Sequence, residues 1–289
     1  SLLLAVVALV AGMYFDGLRL QRLVKIGGYK LSIRAVLRVI FSNYFMAMLT
    51  PGASGGAVAQ VLVLRSYGVP ISKGTPIVLI RTVFSIMFLV IMLPLVFLRD
   101  AIEIPYISRD MLLIFAVLAV IATLVATYIL QTKYMRQFVY NLAQRFKAHN
   151  TKDWLSKLET LNQGLGLLYK QPVQSLIVFI ESGLSLLCLY CIAPALMYAF
   201  TPDIPIIDIL DRMILLNLIL YFAPTPGGTG IAEGLFVVLF SAFVPNGTVG
   251  IIAVGWRVVA EYMPFFIGMY AVLTLYGRQF VAQETSREQ

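Results

Sequence analysis

The chain has 289 residues, of which 60% are hydrophobic and 12% charged, and its mean hydropathy is +0.88. Soluble domains carry about 25% charged residues, so this composition excludes an ordinary soluble domain and predicts an all-α polytopic membrane protein. The net charge of +8 does not indicate a nucleic-acid partner, because the basic residues cluster in two loops, as expected on the cytoplasmic side of a membrane. The chain opens at Ser1 inside an apolar run, so we expect that a preceding segment is missing.

Five apolar runs are predicted to be full transmembrane crossings, because about 20 apolar residues span a bilayer core of roughly 30 Å. We interpret the first run, which is shorter, as clipped at its start. The predicted crossings are 1–18, 76–98, 110–131, 173–200 and 248–276.

Two further apolar stretches, 35–67 and 209–244, are interrupted in the middle by loops rich in proline and glycine. The first loop reads TPGASGG (50–56) and the second reads PTPGGTG (224–230). Each half of these stretches has about 11 to 15 residues, which at 1.5 Å per residue is too short to cross the membrane. We therefore predict two re-entrant helical hairpins, which are tolerated where they are buried in protein or line a cavity.

Loop charges predict the side of the membrane on which each hairpin begins and ends. Loops 19–38 and 65–75 carry basic residues and no acid, so we expect both to be cytoplasmic and the first hairpin to enter from inside. Loops 99–110 and 201–212 carry most of the acidic loop residues and are expected outside, so the second hairpin enters from outside.

The two loops are related by a constant displacement of the sequence. A shift of 175 residues, which is 225 minus 50, places TPGASG (50–55) on TPGGTG (225–230). The same shift aligns Arg81 with the position directly before Arg257. Broken helices at matched positions of two such halves are typical of the binding site of a transporter.

Because the two hairpins are predicted to enter the membrane from opposite sides, the two halves of the chain form an inverted-topology repeat. Both halves belong to a single transmembrane domain, 1–289. The first half is 1–109 and the second half is 173–289. Crossing 110–131 turns the second half over. Between them, segment 132–172 is predicted to be a cytoplasmic amphipathic helix on the membrane surface, because its stripe of Trp154, Leu158, Leu161, Leu165 and Leu168 has helical spacing. A coiled-coil contact with a partner is the alternative.

The loops expose backbone groups at mid-membrane depth. The second helix of each hairpin begins there, with free N–H groups and a positive dipole end that favour an anion. Ser54 and Thr229 stand where an N-cap hydroxyl is expected. Close packing of small residues is the alternative explanation for the glycines. The predicted substrate-binding loop residues are Ser54, Gly55, Gly56, Gly227, Gly228, Thr229 and Gly230, and the structural loop residues are Pro51, Gly52, Pro224 and Pro226.

Charged residues inside crossings are costly and are usually functional or paired. Arg81 and Arg257 are predicted to hold an anionic head group, with Gln60 adding a hydrogen bond and Glu233 or Glu261 carrying a proton. The alternatives are an internal salt bridge between Arg257 and Glu261 and an Arg81 side chain that reaches toward the cytoplasm. Glu181, in the fourth crossing, is a further buried charge.

No catalytic constellation, metal site or cofactor motif is predicted. The chain has one histidine, His149, and no Walker loop or zinc-protease motif, so we expect no enzyme activity and no ATP-driven pumping. Cys188 and Cys191 have a C-x-x-C spacing but lie inside an apolar run, and we interpret them as packing residues.

Four segments resemble the flippase-like membrane family that includes the transmembrane region of lysylphosphatidylglycerol synthetases, the multiple peptide resistance factors. They are TPGASGGAVAQVLVLRSYGV (50–69), IRTVFS (80–85), PTPGGTGIAEG (224–234) and WRVVAEYMP (256–264). The similarity extends over about 1–280. It implies an inner-membrane protein that moves a lipid or a lipid-linked molecule between leaflets.

The sequence departs from the lysyl-lipid branch of that family. Ala53 and Gly56-Ala57 stand where that branch has an arginine in the first loop and a glutamate after it, and Ile80 and Ser85 are neutral where relatives carry an acid. The soluble aminoacyltransferase part does not occur in these residues. We therefore do not expect lysylphosphatidylglycerol as the substrate or lipid synthesis by this chain.

The resulting prediction is a transporter of an anionic phospholipid or a polyprenyl-linked lipid, in the plasma (inner) membrane of a bacterium or archaeon. The alternatives are a transporter or channel for a small water-soluble anion, and a membrane protein that only binds a lipid-modifying enzyme. A membrane lipid is the expected partner, and homo-oligomer formation or an enzyme partner is also expected to be possible.

Overall fold

The structure of the chain is a computed structural model that describes residues 1–99, 109–129, 166 and 171–285. Within these residues the chain is helical, and its extended segments pair at a single isolated bridge between Pro51 and Pro226. The helices are α1 (Leu2–Ile26), α2 (Ile33–Leu49), α3 (Ser54–Ser66), α4 (Ile71–Leu98), α5 (Arg109–Ile129), α6 (Pro172–Tyr190), α7 (Ile192–Met197), α8 (Ile206–Leu220), α9 (Ile231–Phe240), α10 (Val249–Arg257) and α11 (Met263–Thr285), with a 3-10 turn at Ser241–Phe243 and a π-helical turn at Val258–Tyr262.

In this part of the chain, four helical segments are long and apolar enough to cross a membrane. They are Leu2–Ile26, Ile71–Leu98, Pro172–Met197 and Val249–Leu275. These candidate spans coincide with four of the five predicted crossings. The remaining predicted crossing, 110–131, coincides with α5, which the structure describes from Arg109 to Ile129.

The predicted boundary of the first crossing is wrong. We predicted a crossing at 1–18 followed by a basic loop at 19–38, but α1 continues to Ile26. The chain turns only at Gly28, whose φ of +88° favours glycine. Arg19, the first basic residue of the predicted loop, lies buried within the helix and does not mark its end.

The acidic loop predicted at 201–212 is also shorter than expected. Because α8 begins at Ile206, Asp208 and Asp211 belong to the helix. Asp208 lies in the first turn, where a negative charge stabilises the helix dipole. Asp211 is buried, and its Oδ1 lies 3.4 Å from Nη1 of Arg99 at the end of α4.

Both predicted hairpins are pairs of helices with a break between them. Their boundaries differ slightly from the predicted ones: the first pair is α2 and α3, and the second is α8 and α9. Their lengths are 17, 13, 15 and 10 residues, so each helix is shorter than a bilayer core of roughly 30 Å. The orientation of the two pairs in a membrane stays a prediction.

The first break has a simple local cause. Thr50 precedes Pro51 and is extended, with φ −121° and ψ 142°, because the proline ring disfavours helical backbone at the preceding residue. Pro51 also lacks the N–H that would continue the helix. Gly52 and Ala53 follow with φ values of +59° and +53°, which a right-handed helix does not allow, so the proline and the left-handed turn together end α2.

The buried apolar residues form two main clusters, one around each helix pair. The first cluster contains Leu20, Val39, Leu64 and Ile77, and joins α2 and α3 to α1 and α4. The second cluster contains Leu9, Met197, Met213, Phe236 and Trp256, and joins α8 and α9 to α1, α7 and α10. Helices α1 and α4 contribute to both clusters and so connect the two halves.

Helix α11 approaches the first pair closely. It packs along α2 at Gly268, where any Cβ atom would clash with the backbone oxygen of Phe41. This contact ties the end of the chain to the first half.

The predicted amphipathic segment 132–172, including its stripe from Trp154 to Leu168, lies outside the described residues except at 166, 171 and 172. The predicted outside loop 99–110 is likewise described only at its ends.

Candidate functional site

The two breaks meet in the structure. An antiparallel bridge joins Pro51 in the first loop to Pro226 in the second. A Cβ atom on Gly227 would lie 3.4 Å from the Cα atom of Met48, so the second loop also contacts the end of α2. Segments 175 residues apart in the sequence therefore form one surface, as the matched loops led us to expect.

The two loops also share one backbone conformation. Gly52 and Ala53 have φ values of +59° and +53°, and their counterparts Gly227 and Gly228 have +58° and +67°. Ala53 is the only residue of this set with a side chain, and left-handed backbone costs such a residue about 1–2 kcal/mol. The sequence repeat is thus accompanied by a repeat of local structure.

Ser54 and Thr229 do not act as N-caps, so this part of the prediction is wrong. The caps are Ala53 and Gly230. The Ser54 hydroxyl donates to the Pro51 carbonyl at 3.1 Å, and the Thr229 hydroxyl donates to the Pro226 carbonyl at 2.9 Å. Both hydroxyls close the turn instead of capping the helix that follows.

Two of the N–H groups expected to be free at the helix starts are already bonded. The Gly55 N–H donates to Oγ1 of Thr50 at 2.8 Å, and the Gly230 N–H donates to Oε2 of Glu233 at 2.7 Å. These bonds lower the capacity of the two helix starts to hold an anion through backbone groups alone. The charged side chains beside the loops therefore matter more than predicted.

The first charged cluster lies behind the first loop, where the Asp16 carboxylate is shared by two arginines. Arg81 binds both carboxylate oxygens, and Nε of Arg19 binds one of them. Arg19 Nη1 donates to Oγ of Ser85 at 2.8 Å, and Arg81 Nη1 donates to Oε1 of Gln60. Among the described residues, this cluster has two positive charges and one negative charge, all buried.

The second charged cluster lies behind the second loop and has the opposite balance. Arg257, with 1% of its surface exposed, donates from Nε to Glu233 at 2.8 Å and forms an ion pair with Glu261. Its Nη2 also donates to the Gly227 carbonyl at 2.8 Å. The predicted salt bridge between Arg257 and Glu261 is present, but the arginine also holds the loop and the start of α9.

Local structure explains why Arg257 reaches the loop. Trp256 stacks on Phe236 with ring centroids 5.2 Å apart, which fixes α10 against α9. The helix then widens into the π-helical turn Val258–Tyr262, which contains Glu261. Such turns recur at functional sites.

A cavity of about 450 Å³ opens beside the two loops, within the range of small-molecule sites. Arg19, Arg81 and Glu261 line it, together with Tyr44, Tyr190 and Tyr221. Arg257 lies behind this surface, in contact with Glu261 and Gly227. Both arginines of the first cluster therefore line the cavity, whereas Glu261 is the member of the second cluster that lines it.

Seven of the predicted site residues line the cavity. They are Gly52, Ser54, Gln60, Arg81, Gly227, Gly228 and Glu261. Other predicted residues do not line it: Gly56 is buried against Asn43, and Glu233 contacts Arg257. Arg81 is 5% exposed and bound to Asp16, so its side chain points into the protein rather than toward the cytoplasm.

Sequence reasoning missed Asp16 and Arg19. Both are buried, and they lie three positions apart on α1, a spacing at which an acid and a base meet on one helix face. That spacing was the available signal, but the predicted end of the crossing separated the pair.

Glu181 is paired outside the cavity. It accepts hydrogen bonds from Arg22 at 2.7 and 3.1 Å, which link α6 to α1, and Gln174 accepts a further bond from Arg22 at 3.0 Å. Cys188 and Cys191 are free thiols, both partly buried. In the described part of the chain, no group of three or more acidic, histidine or cysteine side chains could hold a metal ion.

Long apolar helices, two broken helix pairs and buried charges at their junction define a multi-pass membrane protein. The family model for the transmembrane region of lysylphosphatidylglycerol synthase matches residues 1–268. The chain belongs to that family. It is also 22% identical over 268 residues to a UPF0104 membrane protein of Archaeoglobus fulgidus, an alignment that covers 88% of this chain and 80% of the relative.

Proposed function

We propose that this protein is a transporter that moves an anionic phospholipid or a polyprenyl-linked lipid between the two leaflets of the membrane. The observation that carries the proposal is the meeting of two matched helix breaks at one cavity, with a buried arginine behind each break. The family description supports a lipid as the substrate class, because it names synthases of a lipid, lysylphosphatidylglycerol.

In the proposed transport cycle, the two halves of the inverted repeat would open the cavity alternately to each side of the membrane. The shared φ values and turn hydrogen bonds of the two loops support a common origin of the two halves. Four helices shorter than a bilayer core support re-entrant hairpins. The acyl chains would remain in the bilayer while the head group passes between the loops.

The two arginines would act in succession on the head group. Arg81 lines the cavity, whereas Arg257 is covered by Glu261 and Gly227. A phosphate attracts a guanidinium as a carboxylate does, so it can replace an acidic partner of either arginine. A head group that leaves Arg81 would bind Arg257 once the ion pair between Glu261 and Arg257 has broken.

The proposal extends to cellular context. We place the protein in the plasma (inner) membrane of a bacterium or archaeon. We assign it no catalysis and no cofactor, and we keep a second copy or a lipid-modifying enzyme as a partner that could bind through segment 132–172.

The test is lipid scrambling or flipping in proteoliposomes that contain a fluorescent phosphatidylglycerol, followed by chemical quenching from outside. We expect Arg81→Gln and Arg257→Gln each to lower the rate at least about tenfold, which corresponds to about 1.4 kcal/mol. Arg99→Gln is the matched control, because Arg99 is half exposed and pairs with Asp211 away from the cavity. It should transport at the wild-type rate.

Two outcomes would contradict the proposal. Wild-type rates in both variants would make the arginines structural. A wild-type protein that leaves the fluorescent lipid in place but releases trapped chloride would support the small-anion transporter instead.

A further inference from the structure

The first charged cluster carries an unbalanced charge next to the cavity. Arg19 and Arg81 share the single carboxylate of Asp16, so the sum over these three described side chains is +1. All three are at least nine-tenths buried. A buried charge without a counter-charge is costly, so the cluster is complementary to one negative charge from a ligand.

Buried hydroxyls without partners lie in the same cavity. Tyr190 is 3% exposed, and its hydroxyl has no hydrogen-bond partner among the described residues. The same holds for the buried Oγ1 of Thr225. Buried polar atoms of this kind normally find a partner, so these two groups point to a polar ligand in the cavity.

The opposite side of the cavity limits the charge of that ligand. Glu261 lines it and belongs with Glu233 and Arg257 to a cluster whose sum is −1. A ligand with a second negative charge would exceed the capacity of the first cluster. It would also meet a negative surface across the cavity.

We propose that the cavity selects a singly charged phosphodiester head group over a doubly charged phosphomonoester, and that Arg19, Asp16 and Tyr190 set this selection. The inference rests on the proposed function and narrows its substrate class. Arg19 and Arg81 would bind the phosphodiester oxygens, Asp16 would restrict the net charge to +1, and the Tyr190 hydroxyl would donate to the bound oxygen. A polyprenyl monophosphate would be excluded.

Competition between two lipids tests the charge rule directly. The purified protein receives equal amounts of phosphatidylglycerol and phosphatidic acid at pH 8, and native mass spectrometry measures which lipid stays bound. The second pKa of a phosphomonoester is about 6, so phosphatidic acid carries nearly two charges at this pH. We expect wild type to prefer phosphatidylglycerol at least about tenfold, a difference of about 1.4 kcal/mol.

Asp16→Asn should reverse this preference. It raises the charge of the first cluster to +2, so the ratio should shift by about tenfold or more toward phosphatidic acid. Glu181→Gln is the matched control, because it also removes a buried carboxylate paired with an arginine, but outside the cavity. It should keep the wild-type ratio.

Tyr190→Phe tests the proposed head-group site without changing the ion pairs. It keeps the proposal testable if Asp16→Asn does not fold. Its hydroxyl has no hydrogen-bond partner to lose within the described ranges, so thermal stability should not change. Phosphatidylglycerol retention should fall roughly tenfold, as for the loss of one hydrogen bond to a charged group. Tyr198→Phe, at an exposed position outside the cavity, should retain the lipid.

The outcomes separate the two proposals. If wild type retains phosphatidylglycerol but neither the Asp16→Asn ratio nor the Tyr190→Phe retention differs from wild type, the charge rule is wrong and the transporter proposal stands. If wild type prefers phosphatidic acid or binds both lipids equally, the charge rule is wrong. If wild type retains neither lipid, the charge rule and an anionic phospholipid as the transported substrate are both contradicted.

Discussion

The two helix breaks have the same backbone but opposite charge balance behind them. At the first break, two arginines share one acid, whereas at the second break one arginine lies between two acids. The first cluster faces the cavity, and the second is covered except for Glu261. The two matched turns thus keep one backbone conformation, while the charges behind them differ between the halves.

Cysteine labelling of the two halves has the largest expected effect, because each position should react from one side of the membrane only. Ser72 follows the first pair and Asn246 follows the second, and both side chains are exposed. If the halves are inverted, an impermeant thiol reagent should label Ser72→Cys and Asn246→Cys from opposite sides, in a background in which Cys188 and Cys191 are replaced by serine. Labelling of both from one side would rule out an inverted repeat.

Removing each arginine should have unequal effects on stability. Arg257→Gln leaves Glu233 and Glu261 without their counter-charge and should cost about 3–5 kcal/mol. Arg81→Gln leaves the pair of Asp16 and Arg19 intact and should cost about 1–3 kcal/mol, mainly from unsatisfied hydrogen bonds.

Chemical denaturation in one detergent measures both costs, with Arg65→Gln, at an exposed position in the last turn of α3, as the control expected to cost no more than about 1 kcal/mol. Equal losses for Arg257→Gln and Arg81→Gln would contradict the difference in charge balance between the two clusters.

The contact between α11 and the first pair should be sensitive to one methyl group. Gly268→Ala places a Cβ against the Phe41 carbonyl and should lower stability by about 1–3 kcal/mol. Gly250→Ala is the matched control, because a Cβ at this position of α10 meets no atom within 4 Å. It should be neutral or stabilising by up to about 1 kcal/mol, since alanine favours a helix. Unfolding midpoints measure both, and an unchanged midpoint for Gly268→Ala would show that α11 does not lie against α2.

Exchanging alanine and glycine between Ala53 and Gly228, at one of the two positions where the matched loops differ, should have the smallest effect. Ala53→Gly relieves left-handed backbone in the first loop, but the added freedom of the unfolded chain offsets part of the gain, so stability should rise by less than about 1 kcal/mol. Gly228→Ala should lower stability by about 1–2 kcal/mol, because its φ is +67° and its Cβ would lie 3.0 Å from Leu220. Changes of the same sign in both variants would mean that the two turns are not equivalent.

The sequence was sufficient for the features that depend on local chemistry. Both breaks combine proline with glycine, as Thr50-Pro51-Gly52 and as Thr225-Pro226-Gly227, so the breaks and the half-length helices were predictable. The spacing of Arg257 and Glu261 by four residues also predicted their ion pair.

Features that depend on tertiary packing were not predictable in the same way. Asp16 meets Arg81 across 65 positions of the sequence, and only the packing of α1 beside α4 brings them together. The hydroxyls of Ser54 and Thr229 were assigned as caps because the pattern shows residue type but not backbone angle. The left-handed turn moves each cap by one residue, to Ala53 and to Gly230.

Native mass spectrometry of the purified wild type beside Arg81→Ala and Arg257→Ala tests the central claim most directly. The account predicts that one class of lipid with an anionic phosphate co-purifies with the wild type and is lost in both variants, while Arg99→Ala retains it. Absence of a selected lipid, or equal retention in all four proteins, would contradict a head-group site at these arginines.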